Sequence, residues 1–194
     1  MRLAILLAFL FACSSSQAHD IPAQPTPLPA ASASTAAPQW YLDDIEFLTR
    51  EGGRWVTSNA DYQGENEPME AYVLEWKKGY ANSMTGRLYG MVNGEPTGDF
   101  WQFRQYWHPG LGAAQLQQFG SGGAVGLGGM WQEGGVNKTK QTFFAPDGGV
   151  SEQGHEAHNP DADTHVTTSF DIDGEEWKTR RTYTWKRDKS ASGQ

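Results

Sequence analysis

The chain is told to reverse direction so often that few folds can satisfy it. Between positions 54 and 187, short stretches of mixed apolar and polar residues are broken by Asn93-Gly94, Pro109-Gly110, Pro146-Asp147-Gly148-Gly149 and Asp173-Gly174. Asn-Gly and Asp-Gly supply the positive φ that a two-residue hairpin loop needs, and Pro presets φ at the first turn position. Each stretch is therefore sent back antiparallel to the one before it. The pattern predicts strands over 54–62, 70–80, 83–92, 99–108, 113–119, 124–132, 138–145, 150–156, 164–172 and 175–186, the span 150–156 being the weakest. No helical rhythm alternates with them, so a doubly wound parallel sheet is excluded. An open sheet of so many strands would leave two bare edges, whereas a meander that closes on itself leaves none. The expected fold is all-β: an antiparallel barrel of eight to ten strands.

One short helix precedes the strands. In Trp40 to Arg50, Tyr41, Ile45 and Leu48 recur at helical spacing on one face, and Gly52-Gly53 ends the run. Residues 19–38 are rich in Pro, Ala, Ser and Thr and read as an extended spacer. Residues 1–18 read as an export signal: Arg2, then about ten apolar residues from Leu3 to Ala12, inside the h-region range of roughly 7–15. Two processing routes fit. Ser16-Gln17-Ala18 places small residues before a cleavage ahead of His19, and Leu10-Phe11-Ala12-Cys13 resembles a lipobox, which would put a lipid on Cys13. The domain organisation is thus signal 1–18, linker 19–38, barrel 39–188 and a disordered tail 189–194. The expected location is outside the cytoplasm: periplasmic or secreted, or envelope-anchored if Cys13 is lipidated.

Composition narrows the function classes. Lys and Arg number 15 against 23 Asp and Glu, a net charge of −8, so a phosphate-neutralising nucleic-acid surface is not expected. One Cys cannot build an internal disulfide or a cysteine zinc site. Eight Trp, seven Tyr and nine Phe are far more than a disordered chain carries.

Gly53-Arg54-Trp55, following the short helix, resembles the Gly-x-Trp signature of lipocalin-type (calycin) barrels. The tail Asp163-Thr164-His165-Val166, Asp173-Gly174 and Arg181-Thr182-Tyr183-Thr184 is similar to the ending of uncharacterised exported bacterial proteins of that kind. The resemblance covers about residues 40–187. It implies a cup-shaped cavity, with Trp55 at the closed end and Arg181 as the final-strand cation packed over it. It names no ligand.

Several clusters are candidates for chemistry. On 99–108, Trp101, Phe103, Gln105 and Trp107 share one face, while Phe100, Gln102, Arg104, Tyr106 and His108 share the other; both are aromatic, so alternation does not choose the inner one. Trp177, Thr179, Arg181, Tyr183 and Trp185 share a face on the last strand. Arg87, Arg104 and Arg181 sit mid-strand among aromatics; one that points inward needs a carboxylate, either Glu75 or an anionic ligand. The residues expected to line or rim a cavity are Arg87, Tyr89, Trp101, Arg104, Tyr106, Trp107 and His108.

His155, His158, Asp161 and His165 have ligand chemistry for zinc or copper, but their spacing is not that of a helical metal motif, and a polar loop explains them more simply. The Gly-rich run Phe119 to Gly129 lacks the Lys and Ser or Thr of a phosphate loop and reads as barrel bends. No cofactor is expected.

The leading expectation is a binding protein that holds a small, partly apolar molecule inside the barrel, an anionic one if it partners an inward Arg. Two rivals stay open: an enzyme using His108 as acid or base beside Arg104, and an envelope interaction protein with a filled barrel. The sequence leaves the oligomeric state open.

Overall fold

The computed structural model describes residues 36–190. The segment 1–35, with the export signal, Cys13 and most of the linker, lies outside the described residues, as does 191–194.

Helix α1 spans Gln39–Thr49 and runs into a 3-10 turn at Arg50–Gly52. Its buried residues are Tyr41, Asp44, Ile45 and Leu48, which is the apolar face expected from the sequence plus one carboxylate. Ten strands follow: β1 (Arg54–Ser58), β2 (Ala71–Lys78), β3 (Ser83–Val92), β4 (Glu95–His108), β5 (Ala113–Gly120), β6 (Val125–Glu133), β7 (Val136–Phe144), β8 (Val150–Asp161), β9 (Thr164–Asp173) and β10 (Glu176–Arg187). Every strand pairs antiparallel with its neighbour in sequence, and β10 pairs with β1. The sheet is a closed ten-stranded up-and-down barrel. Eight strands make a barrel whose interior side chains just fill it, so two more widen the interior.

Differences from the expected strands have local causes. β1 stops at Ser58, and residues 59–70 form a loop in which Asn59 N–H donates to the Glu70 carbonyl at 2.8 Å. β8 runs on through Asn159-Pro160 to Asp161, so His155, His158 and Asp161 stand on a strand and His165 on the next, rather than in one loop. Pro160 is accommodated where the β8–β9 register breaks between His158 and Asp161, a place where no ladder N–H is required. Near the C-terminal end of the described residues, Lys189 pairs with Asp163 at 2.7 Å.

Two glycine sites show why the sequence is written as it is. Gly53 has φ +65°, and a Cβ there would run into the Trp76 carbonyl oxygen. Its own carbonyl accepts from Trp76 N–H at 2.8 Å, so helix and barrel join through a contact only glycine permits. In the Gly-rich run, a Cβ at Gly126 would meet the Phe143 ring and one at Gly128 the backbone of β7. The run brings β6 and β7 close together, as expected of a barrel bend.

The core gathers at one end. Tyr41, Ile45 and Leu48 of α1 pack with Trp55, Trp76, Met84, Ala114, Leu116 and Trp185. The helix plugs the end formed by the start of β1, the end of β2 and their neighbours. The loop 59–70 stands at the opposite end.

Candidate functional site

The plugged end is built around Trp55, which is fully buried. Its indole Nε1–H donates to the Leu48 carbonyl at 3.0 Å, and its ring stacks on Phe47 at 5.1 Å and tilts against His165 at 5.8 Å. A cation does cover it, at 4.1 Å, but that cation is Arg187 and not Arg181. The register explains the correction: Arg187 is the residue directly opposite Trp55 on the neighbouring strand. Arg187 donates to the carbonyls of Phe47, Arg50 and Ala162 at 3.0 to 3.2 Å.

Asp44, from α1, is buried at this end and accepts from Gln105 Nε2 at 3.1 Å and Asn137 Nδ2 at 2.8 Å. Burial pushes its carboxyl up to about 6 despite those bonds. Asn137 Oδ1 in turn accepts from Gln132 Nε2 at 3.0 Å. A groove of about 620 Å³ runs beside α1 over these groups, with Trp40, Phe47, Arg50 and His158 also in its lining. The amides on its floor bond to one another and to Asp44.

The candidate cavity residues fall on both faces of the wall. On β4, Phe103 tilts against Trp76 at 5.4 Å, Gln105 reaches Asp44, and Trp107 meets Tyr41 at 6.1 Å, so the face carrying Trp101 and Trp107 points inward. A register shift against β3 turns Phe100 inward as well, where it meets Tyr72 at 6.0 Å.

Arg104, Tyr106 and His108 take the outer face. Arg104 is exposed and lies over Tyr106, whose hydroxyl accepts from Gln117 Nε2 at 3.3 Å. His108 Nδ1 accepts from the Leu111 N–H at 3.2 Å, within a turn. Arg87 and Tyr89 are outer too. Glu75 is their partner, at 2.9 Å from Arg87 Nε and 2.8 Å from the Tyr89 hydroxyl, with Arg54 and Asp99 beside them. On β10 a bulge between Thr179 and Arg181 puts Trp177 on the opposite face from Arg181, Tyr183 and Trp185. Trp177 packs on Phe170 at 5.3 Å.

The metal candidates are also dispersed. His165 is buried against Trp55 and Phe47 and bonds Asn159 Oδ1 at 2.7 Å through Nδ1. Burial, with the charges of His158 and Arg187, lowers its pKa to about 3. His155 and His158 lie on one strand with odd spacing and face opposite ways. Among the described residues, no group of three or more His, Cys, Asp or Glu comes together.

Away from the plug the interior changes character. Thr139 and Gln141 of β7, His155 of β8, and Thr167 and Ser169 of β9 share the inner face through their register, as does Gln118 of β5. Trp101, Thr167 and Ser169 on this inner face keep partial exposure. Trp101 and Phe143 meet edge to face at 5.7 Å. Gln118 Oε1, Gln141 Oε1 and His155 Nδ1 are sealed from solvent and have no hydrogen-bond partner within the protein. Burial and the nearby Arg180 charge lower the His155 pKa to about 4, which keeps its ring neutral.

The loop 59–70 closes on this half. Glu67 takes both Arg181 nitrogens at 2.6 Å in a bidentate pair and also accepts from the Tyr72 hydroxyl and Asn59 Nδ2. Arg181 lies 4.9 Å from the Tyr62 ring, and Tyr183 donates to Asn59. The guanidinium pulls the Glu67 pKa down to about 2. Sequence reasoning does not single out Glu67, Gln118 or Gln141. The available signal was parity: Gln118 shares its face with Leu116, and Gln141 with Phe143.

The fold is a closed β-barrel plugged by α1 at one end, with the loop 59–70 tied to β10 at the other. No protein-family model matches the chain, and no curated protein matches it.

Proposed function

We propose that this is an exported binding protein whose barrel interior holds a small, partly apolar molecule. One observation carries the reading: Trp101, Thr167 and Ser169 keep partial exposure on the inner face of a closed ten-stranded barrel. A concave, mostly apolar site with a few polar groups is the usual form of a ligand pocket. A filled barrel fits less well, because its inner residues would not keep exposure. Catalysis by His108 and Arg104 is not supported by their place on the outer wall.

The motif at the plugged end supports a lipocalin-like affinity, with Arg187 in the role the resemblance gave to Arg181. An anionic ligand loses support, since the inward guanidinium of Arg181 already has Glu67. Export rests on Arg2, the apolar run to Ala12 and the two processing sites. If Cys13 is lipidated, the barrel is an envelope lipoprotein; if cleavage follows Ala18, it is free in the periplasm or secreted.

The test is native mass spectrometry of the mature protein purified from its host, followed by the denatured mass. A discrete mass carried only in the native spectrum supports an occupied barrel. A bare native mass, together with no thermal shift across a library of small molecules, overturns it. The denatured mass separates cleavage after Ala18 from lipidation at Cys13.

A further inference from the structure

We infer that the groove between α1 and the ends of β6, β7 and β8 is a saccharide-binding site, separate from the barrel interior. Helix α1 carries two stripes of side chains. Tyr41, Ile45 and Leu48 are buried in the plug, while Trp40, Asp43 and Phe47, at i, i+3 and i+7, line the groove. The helix packs mainly on β2 and β3, so a gap stays open on the opposite side of the barrel mouth. Across that gap stand Gln132, Asn137 and Ala157, which lie directly opposite one another in register on β6, β7 and β8, with His158 and Asn159 beyond them. The space is about 620 Å³, within the range of roughly 300–1,000 Å³ that takes small ligands. Asp43, Gln132, His158 and Asn159 are exposed, and Trp40 and Phe47 are half-buried, so the lining is reached from solvent.

The chemistry of the lining selects the ligand. Its apolar surface comes from two aromatic rings, and its one aliphatic residue is Ala157, so a lipid tail finds no aliphatic wall. The negative face of an indole attracts the polarised C–H bonds on the flat side of a sugar ring. The remaining lining is mostly planar amides and carboxylates, which can engage two neighbouring hydroxyls at once. Asp44 accepts from the Asn137 amide at 2.8 Å, which sets the floor before a ligand arrives. Gln132 spends one N–H on Asn137 at 3.0 Å, and Asn159 one side-chain atom on His165 at 2.7 Å; each amide has more hydrogen-bonding positions than these contacts use. Charge argues against an ion. The Arg50 guanidinium bonds the Ala162 carbonyl and lies 5.1 Å from the Phe47 ring. Glu46 pairs with Lys78 at 3.2 Å, and Asp43 accepts from Gln39 at 2.7 Å. An anion would meet three carboxylates, and a cation would have to displace partners already in place. A neutral, hydroxyl-rich molecule with one apolar face meets neither obstacle.

The experiment titrates neutral trisaccharides (cellotriose, maltotriose, laminaritriose and triacetylchitotriose) into the full mature chain, read by calorimetry and tryptophan fluorescence. At least one is expected to bind with a dissociation constant of about 1 mM or tighter. Trp40→Ala is expected to weaken that binding about tenfold, and Gln132→Ala about threefold or more. Gln132 is exposed, so its variant decides the matter if Trp40→Ala does not fold. Binding that survives both groove variants overturns the site, and its loss in Trp101→Leu would assign the sugar to the barrel interior instead. Binding of no trisaccharide at about 10 mM overturns the saccharide inference and leaves the reading of the barrel interior standing.

Discussion

The two ends of the barrel are each fastened by an arginine of β10, and the two fastenings differ in kind. At the plugged end Arg187 is 7 % exposed, lies on Trp55, and donates to three backbone carbonyls. At the loop end Arg181 is partly exposed and is held by the carboxylate of Glu67. Arg187 Nε also lies 3.3 Å from the Asp163 carboxylate, but its three backbone acceptors cannot titrate. One strand therefore fastens both ends of the barrel, through backbone carbonyls and an aromatic ring at one and a loop carboxylate at the other.

If that contrast is right, damage at the plug is global. Trp55→Ala removes a fully buried indole against Phe47, His165 and Arg187 and is expected to cost about 3–5 kcal/mol of unfolding free energy. Arg187→Leu leaves the carbonyls of Phe47, Arg50 and Ala162 without their donor and is expected to cost about 2–4 kcal/mol. Urea unfolding measures both. A loss under about 1 kcal/mol for either would break the comparison at its stronger side.

Acid is expected to act on the buried groups inside the barrel before it reaches Glu67. His165 and His155 are depressed to about 3 and 4, so the fold favours their neutral forms. Their contribution is complete above the ordinary histidine pKa of about 6.5 and is lost as pH falls toward those values. Asp44, raised to about 6, works the other way: its contribution is present at low pH and is lost as pH rises between about 4 and 6. Two histidines against one carboxyl leave a net loss between pH 6.5 and 4, with a slope on the order of 1 kcal/mol per pH unit. Glu67, lowered to about 2, protonates only in much stronger acid. Stability measured from pH 7 to 4 should fall, and His165→Gln should flatten the curve. An unchanged slope in that variant would remove His165 from the account.

At the loop end the expected loss is smaller and local. Glu67→Gln removes the charge that holds Arg181 but keeps an acceptor, for an expected cost of about 1–2 kcal/mol. Hydrogen exchange is the sharper reading: amides of 59–70 should exchange faster while those of α1 and β1 do not change. Equal acceleration at both ends would show that the loop is part of the same cooperative unit as the plug.

How much of this was legible in the sequence depends on the scale at which signals are written. Turn residues are local, so the meander and its hairpins could be read from Asn93-Gly94 and Asp173-Gly174. The helix was legible for the same reason, from Tyr41, Ile45 and Leu48. What crosses the barrel was not. Whether Arg181 or Arg187 meets Trp55 is set by the β1–β10 register, which closes over the whole chain. The bulge that turns Phe100 inward is likewise a property of two strands together. Glu67 lies in a loop whose partner is 114 residues away in the chain. The unpartnered glutamines had only their parity to mark them.

The smallest expected effect lies between the two ends, on the outer wall of β4. Arg104 is exposed, and His108 accepts a single turn N–H. If the inner face alone carries binding, Arg104→Ala should change neither stability, beyond about 0.5 kcal/mol, nor the affinity for a small molecule that raises the melting temperature of the wild-type protein. His108→Ala should behave the same way apart from a slight loosening of the turn at 109–112. Trp101→Leu, on the same strand but facing in, should weaken that binding, because it removes part of the inner wall. The pair of measurements separates a barrel that works from within from one that works through its surface. A strong effect at His108 with none at Trp101 would return the outer wall to consideration and leave the two fastenings as structure alone.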